Sequence, residues 1–252
     1  MNTPITIATA KGYLLSESIA AFEKIGISFG NAIEESRKLF TNDESGHYSL
    51  LKIRPWDVTE YVENGAADLG IVGLDVLDEK KSNVIRLADL GFGKCSLVLA
   101  GPENQKDILR HHIKVATKFP NLTQQYFDNK GIKANLIKLY GAIELAPLTG
   151  LSDIISDLTA TGATLKEHNL EVIDTILDSS AYLIANPSSY RTHYSTIVSL
   201  VNALKSQKRL LNNSKKHTFR SLKTCFYPKS ITIALMKLNS ENSMTKVIAV
   251  YF

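Results

Sequence analysis

Short runs of β-branched and apolar residues alternate with helical patterns along most of the chain, and this alternation restricts the possible folds more than any other feature. Ile5–Thr9 has the composition of a strand, and the helical pattern after it has Leu15, Ile19 and Phe22 on one face. Repeated strand–helix alternation predicts an α/β architecture with largely parallel sheets. Further strands are expected at Leu50–Ile53, Asp68–Val72, Ser96–Ala100, Ile113–Ala116, Ala134–Lys138, Ile154–Asp157 and Ala181–Ala185.

The expected helices have recognisable ends. Pro55 begins a helix that runs through Val62, because a proline in the first turn lacks only an N–H that has no partner there. Gly131 ends another helix, Phe119–Lys130, as glycine commonly does after the last helical turn. Further helices are expected around Ile143–Leu148 and over about Ser188–Leu204.

The composition excludes several classes of protein. The 252 residues are 44% hydrophobic and 21% charged, which is typical of a globular protein that can bury a core. No run approaches the roughly 18 apolar residues of a membrane helix, and the first residues lack the basic segment and apolar run of a secretory signal. Cys95 and Cys225 are far apart without metal-ligand spacing, so both are expected to be thiols in a reducing cytoplasm.

The net charge of +4 is unevenly distributed along the chain. From Lys208 to Phe252 there are nine Lys and Arg residues and one acid, Glu241, which gives +8. The remainder carries 20 basic and 24 acidic residues, which gives −4. Because the body is mildly acidic, its charge gives no reason to expect a nucleic-acid partner.

The segment Asp157–Thr164 is the strongest candidate for a binding site, because it follows an apolar strand and precedes a helical pattern. Small residues at such a strand end expose backbone N–H groups, and these attract phosphate. Gly162 permits close approach or a positive φ, and Asp157 is placed to accept hydrogen bonds from ribose hydroxyls. By itself, the segment could equally be a threonine-rich turn with a capping Asp. The candidate residues are Asp157, Thr159, Ala160, Thr161, Gly162, Ala163 and Thr164.

The spacing of residues around this segment resembles the signature of the ATP phosphoribosyltransferases, the enzymes that open histidine biosynthesis. The matching positions are Glu144, Gly150, Ser152, Ile155, Asp157, Leu158, Thr161, Gly162, Thr164 and Leu165. The resemblance extends over roughly residues 5–205 and includes several separate blocks in the same order. These blocks are Glu34–Leu39, Arg54–Val58, Gly65–Gly73, Gly91–Cys95, Ala116–Pro120 and Leu177–Ala181.

The resemblance implies a two-lobed α/β fold like that of the type II periplasmic binding proteins, with the active site in the cleft between the lobes. Residues 1–90 together with 172–206 would form the first lobe. Residues 91–171 would form the second lobe, which carries the loop for phosphoribosyl pyrophosphate. Residues 207–252 form a basic tail, which resembles neither the regulatory domain of the long form of the family nor the usual end of the short form.

The resemblance also implies roles for individual residues. The loop Asp157–Thr164 would hold the 5-phosphate and ribose of phosphoribosyl pyrophosphate. Cationic side chains and Mg²⁺ would offset the repulsion between two anionic substrates, and no protein ligand is assigned to the metal. Lys11, Arg54 and Lys118 are candidates for contacts with pyrophosphate or the phosphates of ATP. The polar family positions around the cleft are Lys11, Arg54, Asp75, Lys94, Lys118 and Glu144.

The implied reaction is a displacement at the anomeric carbon of the ribose. Nitrogen 1 of the adenine ring of ATP attacks, Mg-pyrophosphate leaves, and phosphoribosyl-ATP is formed. An oxocarbenium-like transition state needs stabilisation of the leaving group more than a strong base, so positioning and electrostatics are expected to dominate. No single catalytic residue is therefore assigned.

The chain departs from the family pattern after the first strand. The family commonly has Pro-Lys-Gly-Arg there, whereas this chain has Ala10-Lys11-Gly12-Tyr13, and a phenol supplies no positive charge near neutral pH. Residues 1 to about 206 match the short form of the family in extent. That form works in a hetero-oligomer with a regulatory subunit resembling histidyl-tRNA synthetase, so such a partner is expected.

Two alternative functions follow from the same residues. A protein with this two-lobed fold could bind a small anion without performing chemistry, because a fold does not determine a function. The second alternative is an inactive or truncated copy of the transferase, which Tyr13 and the unusual tail leave open.

Overall fold

A computed structural model describes residues 4–30, 37–103 and 109–207. These residues belong to one compact unit that spans residues 1–208. Nearly all of the expected basic tail, 207–252, and the first half of the family block Glu34–Leu39 lie outside the described residues.

The strands and helices alternate along the described chain. The strands are β1 (Ile5–Ala10), β2 (Phe40–Asn42), β3 (Tyr48–Ile53), β4 (Leu69–Gly73), β5 (Ile85–Asp89), β6 (Cys95–Pro102), β7 (Lys114–Thr117), β8 (Asn135–Lys138), β9 (Ile154–Thr159), β10 (Leu170–Ser179) and β11 (Ala181–Ala185). The helices are α1 (Tyr13–Glu23), α2 (Pro55–Glu63), α3 (Leu74–Lys80), α4 (Pro120–Asn129), α5 (Ala163–Glu167), α6 (Pro187–Thr192), α7, described over 194–207, and a 3₁₀ helix at Ile143–Leu145.

The described strands form two sheets. The first has the order β2-β3-β1-β4-β11-β5, and β1 runs parallel to both β3 and β4 at its centre. The second has the order β10-β6-β9-β7-β8, and β7 runs parallel to both β8 and β9. The α/β fold class and its two-sheet arrangement agree with the sequence-based expectation.

The expectation of largely parallel sheets is wrong. Among the described strands, the pairings β2–β3, β4–β11, β5–β11, β6–β9 and β6–β10 are antiparallel. Parallel neighbours need a long crossover connection, usually a helix. Only five residues connect β5 to β6, and only Ser180 connects β10 to β11. The chain passes from one sheet to the other at these two connections, and both are too short to contain a crossover helix.

Strand β10 also changes the expected boundary at residue 172. It pairs with β6 from Leu170 to Ser179, so residues 172–179 belong to the second sheet rather than to the first. Residues 181–185 then return to the first sheet as β11. The division into two lobes therefore stays a proposal, with its second crossing placed at Ser180.

Helices cover both faces of the first sheet. The face with Leu15, Ile19 and Phe22 of α1 is buried, as predicted, together with apolar residues of α7. On the opposite face, Val58 and Val62 of α2 pack with residues of α3. When helices cover both faces of a sheet, the ends of its strands stay accessible. Ligands of open α/β sheets bind outside the carboxyl ends of the strands.

Two expected helices are shorter than predicted. The helix expected around Ile143–Leu148 is a 3₁₀ helix at Ile143–Leu145, because Pro147 has no N–H with which to continue the hydrogen-bond pattern. The helix expected over Ser188–Leu204 is divided at His193 into α6 and α7.

Candidate active site

The candidate residues follow the carboxyl ends of the parallel strands of both sheets. In the first sheet, Lys11 follows β1, Arg54 follows β3, and Asp75 lies in the first turn of α3 after β4. In the second sheet, Lys118 follows β7 and the loop from Asp157 completes β9. Because carboxyl ends of parallel strands share one edge, each sheet presents its candidates on one side.

The loop after β9 turns sharply at Gly162. This glycine has φ 77° and ψ 2°, a left-handed conformation in which a side chain is strained, and it directly precedes α5. The Gly162 N–H donates to Thr159 Oγ1 at 2.9 Å, and the Ala163 N–H donates to Thr161 Oγ1 at 3.4 Å. The threonine hydroxyls thus hold the loop in shape, a role that sequence reasoning had not assigned to them.

The loop lines a cavity of about 310 Å³. This volume is at the lower end of the range for small-molecule sites. Glu144 of the 3₁₀ helix also lines this cavity. The lining residues are Glu144, Ile155, Asp157, Leu158, Thr159, Ala160, Thr161, Ala163, Thr164 and Leu165.

Asp157 is half-buried at the base of this cavity. Burial raises the pKa of its carboxyl, while the hydrogen bond from the Leu158 N–H, 2.8 Å long, lowers the pKa. The charge of Glu144 raises the pKa further and the charge of Lys118 lowers it. A carboxyl in this setting can accept hydrogen bonds from the hydroxyls of a ligand, because only one of its oxygens is engaged with the backbone.

Asp75 lies in the first turn of α3, after β4 of the first sheet, and is more deeply buried, with 5% of its surface exposed. Its Oδ1 accepts a hydrogen bond from Ser179 Oγ at 2.6 Å, and its backbone N–H donates to the same Oγ at 3.1 Å. Burial raises the pKa of Asp75, and the nearby Lys118 lowers it. Ser179 is the last residue of β10, so this contact joins the two sheets.

Lys118 therefore acts electrostatically on a carboxyl from each sheet, Asp75 and Asp157. Its Nζ atom also lies 5.2 Å from the centre of the Trp56 ring in α2. Residues that are far apart in sequence thus lie around the Lys118 ammonium. This arrangement suits the binding of an anionic group between the two sheets.

A second cavity, of about 400 Å³, contains Lys94 and one residue of the loop, Ala160. It also contains Ser179 and Cys95, which are paired across β10 and β6. Burial raises the pKa of the Cys95 thiol, and the charge of Asp75 raises it further. Lys94 thus lines a cavity together with a residue of the loop after β9.

Lys11 and Arg54 lie at the ends of adjacent strands. The Lys11 N–H donates to the Ile53 carbonyl at 2.8 Å, so the two cationic residues follow neighbouring ends of the first sheet. Both are exposed, and neither lines the two cavities that contain loop residues. Their contact with substrate phosphates stays a prediction.

Tyr13, which stands where the family commonly has Arg, begins α1 next to Lys11. Its side chain is 66% exposed. A hydrogen bond with Glu17 raises the pKa of its hydroxyl, so the group stays neutral over the ordinary pH range.

Three residues of this region had no role assigned from sequence: Trp56, Cys95 and Ser179. All three lie inside blocks that resemble the family, in Arg54–Val58, Gly91–Cys95 and Leu177–Ala181. Their position inside those blocks is a sequence signal that could have identified them. Their contacts could not be predicted from the sequence, because the contacts of Trp56 and Ser179 join segments more than 60 residues apart.

The donor atoms suit a cation that arrives with a phosphate ligand. Within residues 4–30, 37–103 and 109–207, no group of three or more His, Cys, Asp or Glu residues could hold a metal ion by itself. Mg²⁺ often needs only one or two carboxylates when substrate phosphates complete its coordination. Asp157 and Glu144, which line one cavity, provide such oxygens.

No helix in the described part of the chain is both long and apolar enough to span a membrane.

Three comparisons with known proteins agree. The family model HisG, ATP phosphoribosyltransferase, matches residues 54–206. An ATP phosphoribosyltransferase of Thermoanaerobacter sp. (strain X514) is 44% identical over 201 residues, which cover 80% of this chain and 94% of that protein. That of Campylobacter concisus (strain 13826) is 44% identical over 205 residues, covering 81% and 98%.

Solved structures give the same result. The structure titled ATP phosphoribosyl transferase (HisG:HisZ) complex from Thermotoga maritima matches with a TM-score of 0.69 and 37% identity, covering 80% of this chain and 97% of that one. The periplasmic aliphatic sulphonate binding protein SsuA from Escherichia coli matches with a TM-score of 0.56 and 15% identity, covering 94% and 84%, which shows the fold alone. The expected likeness to periplasmic binding proteins is confirmed. On the family model and the identity over nearly the full length of its relatives, the chain belongs to the ATP phosphoribosyltransferase family.

Proposed function

We propose that this protein condenses ATP with phosphoribosyl pyrophosphate, forming phosphoribosyl-ATP and pyrophosphate in the first step of histidine biosynthesis. Membership of the family supports the reaction. The observation that carries it is the position of Lys118, which follows β7 of the second sheet, has its Nζ atom 5.2 Å from the centre of the Trp56 ring of α2, and lowers the pKa of both Asp75 and Asp157. Such a site can bring two phosphate-bearing substrates together.

The loop after β9 is proposed to hold the sugar phosphate. Three threonines of the loop, Thr159, Thr161 and Thr164, line one cavity together with Glu144. Asp157 is placed to accept hydrogen bonds from the ribose hydroxyls, because one carboxyl oxygen is not used by the Leu158 N–H. The proposed loop contacts are Asp157, Thr159, Ala160, Thr161, Gly162, Ala163 and Thr164.

The cationic residues are proposed to hold the pyrophosphate and the phosphates of ATP. Lys118 follows β7 of the second sheet, while Lys11 and Arg54 follow strands of the first sheet. Arginine suits a two-point contact with phosphate, whereas each lysine acts as a point charge. The remaining proposed cleft residues are Asp75, Lys94 and Glu144.

The chain's residues would act by orientation and charge. Mg²⁺ supplies positive charge to the leaving pyrophosphate when it is bound. Lys118 and its neighbours reduce the repulsion between the substrates and stabilise the charge that develops on the leaving group. Binding of both substrates in one cleft replaces a bimolecular encounter by an oriented contact between the anomeric carbon of the ribose and the adenine nitrogen.

We also propose that the protein works in the cytoplasm with a regulatory subunit. The Thermotoga maritima structure is titled as a HisG:HisZ complex. The chain covers 94% or more of the relatives cited above, so its enzymatic part matches theirs in extent. A chain purified alone that reached full turnover would contradict the need for a partner.

The test mixes the full chain, with and without the candidate regulatory subunit, with ATP, Mg²⁺ and phosphoribosyl pyrophosphate. Release of pyrophosphate together with phosphoribosyl-ATP, identified by its mass, is expected. Binding of phosphoribosyl pyrophosphate without release would indicate a binding protein. Neither binding nor release would indicate an inactive copy.

A further inference from the structure

We propose that Trp56 is a positioning residue that holds the Lys118 ammonium in place for substrate phosphates. The inference rests on the proposed function, because it concerns how Lys118 serves that site. Trp56 itself need not contact substrate. It is the single tryptophan of the chain.

The indole ring is held between the two sheets. Trp56 is the second residue of α2, which packs on the first sheet, and its ring lies 5.3 Å from that of Phe119 at an interplanar angle of 40°. Phe119 is 2% exposed and immediately precedes α4. The indole is therefore fixed by an aromatic neighbour on the far side of the site.

The surrounding hydrogen bonds keep this neighbour in place. Both carboxyl oxygens of Glu79, near the end of α3, accept bonds of 2.9 Å from the N–H groups of Asn121 and Leu122 in the first turn of α4. Lys80 Nζ donates to the Trp56 carbonyl at 3.0 Å. The two helix starts that carry Trp56 and Phe119 are thus tied to α3.

Lys118 needs such support because its side chain has four flexible methylene groups and two carboxyls near it. Asp75 and Asp157 attract the ammonium toward either side of the site. A direct ion pair with one of them would use N–H donors that a phosphate requires. The face of an indole attracts the ammonium without pairing it with a carboxylate, so N–H donors stay available for a phosphate.

The positioning role can be separated from simple packing by a double-mutant cycle. Trp56→Leu, Lys118→Met and the double variant are assayed as the complex with the regulatory subunit. Trp56→Leu is expected to lower kcat/KM for phosphoribosyl pyrophosphate about ten-fold, the size of a partly desolvated cation–π contact. Lys118→Met is expected to lower kcat/KM more than Trp56→Leu does. Adding Trp56→Leu to Lys118→Met is expected to cause no further decrease in kcat/KM. A loss of the same size in both backgrounds would overturn the proposal.

Two further variants serve as controls. Trp56→Phe keeps an aromatic face and is expected to recover most of the activity that Trp56→Leu loses. Tyr61→Leu makes the same kind of change on an exposed side chain of α2, 41% exposed, and is expected to leave kcat/KM unchanged. Trp56→Phe activity as low as that of Trp56→Leu would contradict the role of the ring face.

Fluorescence gives a readout that does not depend on turnover or on the folding of Trp56→Leu. Inorganic pyrophosphate is titrated into the full chain, and the emission of Trp56 is followed. Binding is expected to change this emission, because the Lys118 ammonium on the ring acquires an anionic partner. In Lys118→Met no change is expected, even at pyrophosphate concentrations that saturate the variant. An unchanged response in Lys118→Met would overturn the proposal, whereas absence of turnover in the unaltered complex would instead contradict the proposed function.

Discussion

At the scale of single residues, the burial of two carboxyls near Lys118 reduces the free energy of unfolding. Asp75 is almost fully buried and bonded to Ser179, and Asp157 is half-buried against the loop. Burial is the largest cause of the raised pKa in both. Since the charged form of a buried carboxyl is disfavoured, these residues are better explained by a role in the site than by stability.

Asp75→Asn is expected to stabilise the protein at pH 7. A pKa raised by folding means that the folded state binds the proton more tightly, so the stability due to Asp75 falls as pH rises from about 3.8 through the raised pKa. Asparagine keeps an oxygen for the Ser179 hydroxyl and removes the charge. A gain on the order of 1 kcal/mol would raise Tm by about 2–4 °C.

Thermal unfolding followed by circular dichroism between about pH 3.5, near the ordinary pKa of an Asp carboxyl, and about pH 8 measures this effect. The difference between Asp75→Asn and the unaltered protein should shrink toward the acid end. A lower Tm for Asp75→Asn at pH 7 would contradict the assignment of a net burial cost.

Tyr13→Arg is expected to strengthen the binding of a phosphorylated substrate. It places a guanidinium beside Lys11, at the end of the first strand, where the family commonly has one. A new charge-assisted contact of about 1 kcal/mol lowers KM roughly five-fold for ATP or phosphoribosyl pyrophosphate. Steady-state kinetics against both substrates measures it, with Tyr13→Leu as the uncharged control. An unchanged KM for both would remove position 13 from the site.

At the scale of elements, the loop after β9 has its shape from its own side chains. Thr159 ends the strand and accepts from the Gly162 N–H, and Gly162 takes the left-handed conformation that begins α5. No atom lies within 4 Å of where a Gly162 Cβ would be, so backbone conformation rather than space explains the glycine. The element is a turn whose hydroxyls are part of its framework.

Thr159→Val is therefore expected to weaken binding of the sugar phosphate. The methyl group keeps the volume but cannot accept from the Gly162 N–H, and losing one such bond costs about 1 kcal/mol. KM for phosphoribosyl pyrophosphate should rise about five-fold, while KM for ATP changes little. Thr159→Ser keeps the hydroxyl and should retain the original value. Equal effects of the two variants would show that the hydroxyl does not shape the loop.

At the scale of the whole compact unit, the two sheets are joined by more than the chain itself. Residues 90–94 and Ser180 are the connections between β5 and β6 and between β10 and β11. Beside them, Glu79 of α3 caps the start of α4, and Asp75 binds Ser179. These contacts hold the site residues of the two sheets in register with one another.

Glu79→Gln is expected to lower stability. The Glu79 side chain is 4% exposed, and a glutamine NH₂ would face one of the two N–H groups that the carboxylate now accepts. Leaving a buried donor unsatisfied costs about 1–3 kcal/mol, which corresponds to a Tm decrease of roughly 3–10 °C.

Glu60→Gln provides the matched control for this measurement. Glu60 pairs with Lys80 on the surface, with 53% of its side chain exposed, and exposed pairs contribute roughly 1 kcal/mol or less. Thermal unfolding should show a much smaller shift for Glu60→Gln than for Glu79→Gln. Similar shifts in the two variants would show that Glu79 does not connect α3 to α4.

The local elements could be predicted where their pattern was uniform. Ile5–Thr9 and Ala181–Ala185 are buried on both faces and consist of apolar or β-branched residues, so periodicity was sufficient. β10 was not expected because its pattern mixes exposed and half-buried residues and contains register shifts against β6. β2 was not expected because it has only three residues, none of them buried.

The sequence by itself determined the family, the α/β class and the loop Asp157–Thr164, because these depend on residues close together in the chain. Only the tertiary structure decided which strands run antiparallel, where the second crossing between the sheets lies, and that Trp56, Lys118 and Asp75 meet. Spacing along a chain specifies local conformation, but the distance between remote residues depends on how the sheets pack. A lysine at a strand end therefore has a predictable location, whereas its neighbours come from the fold.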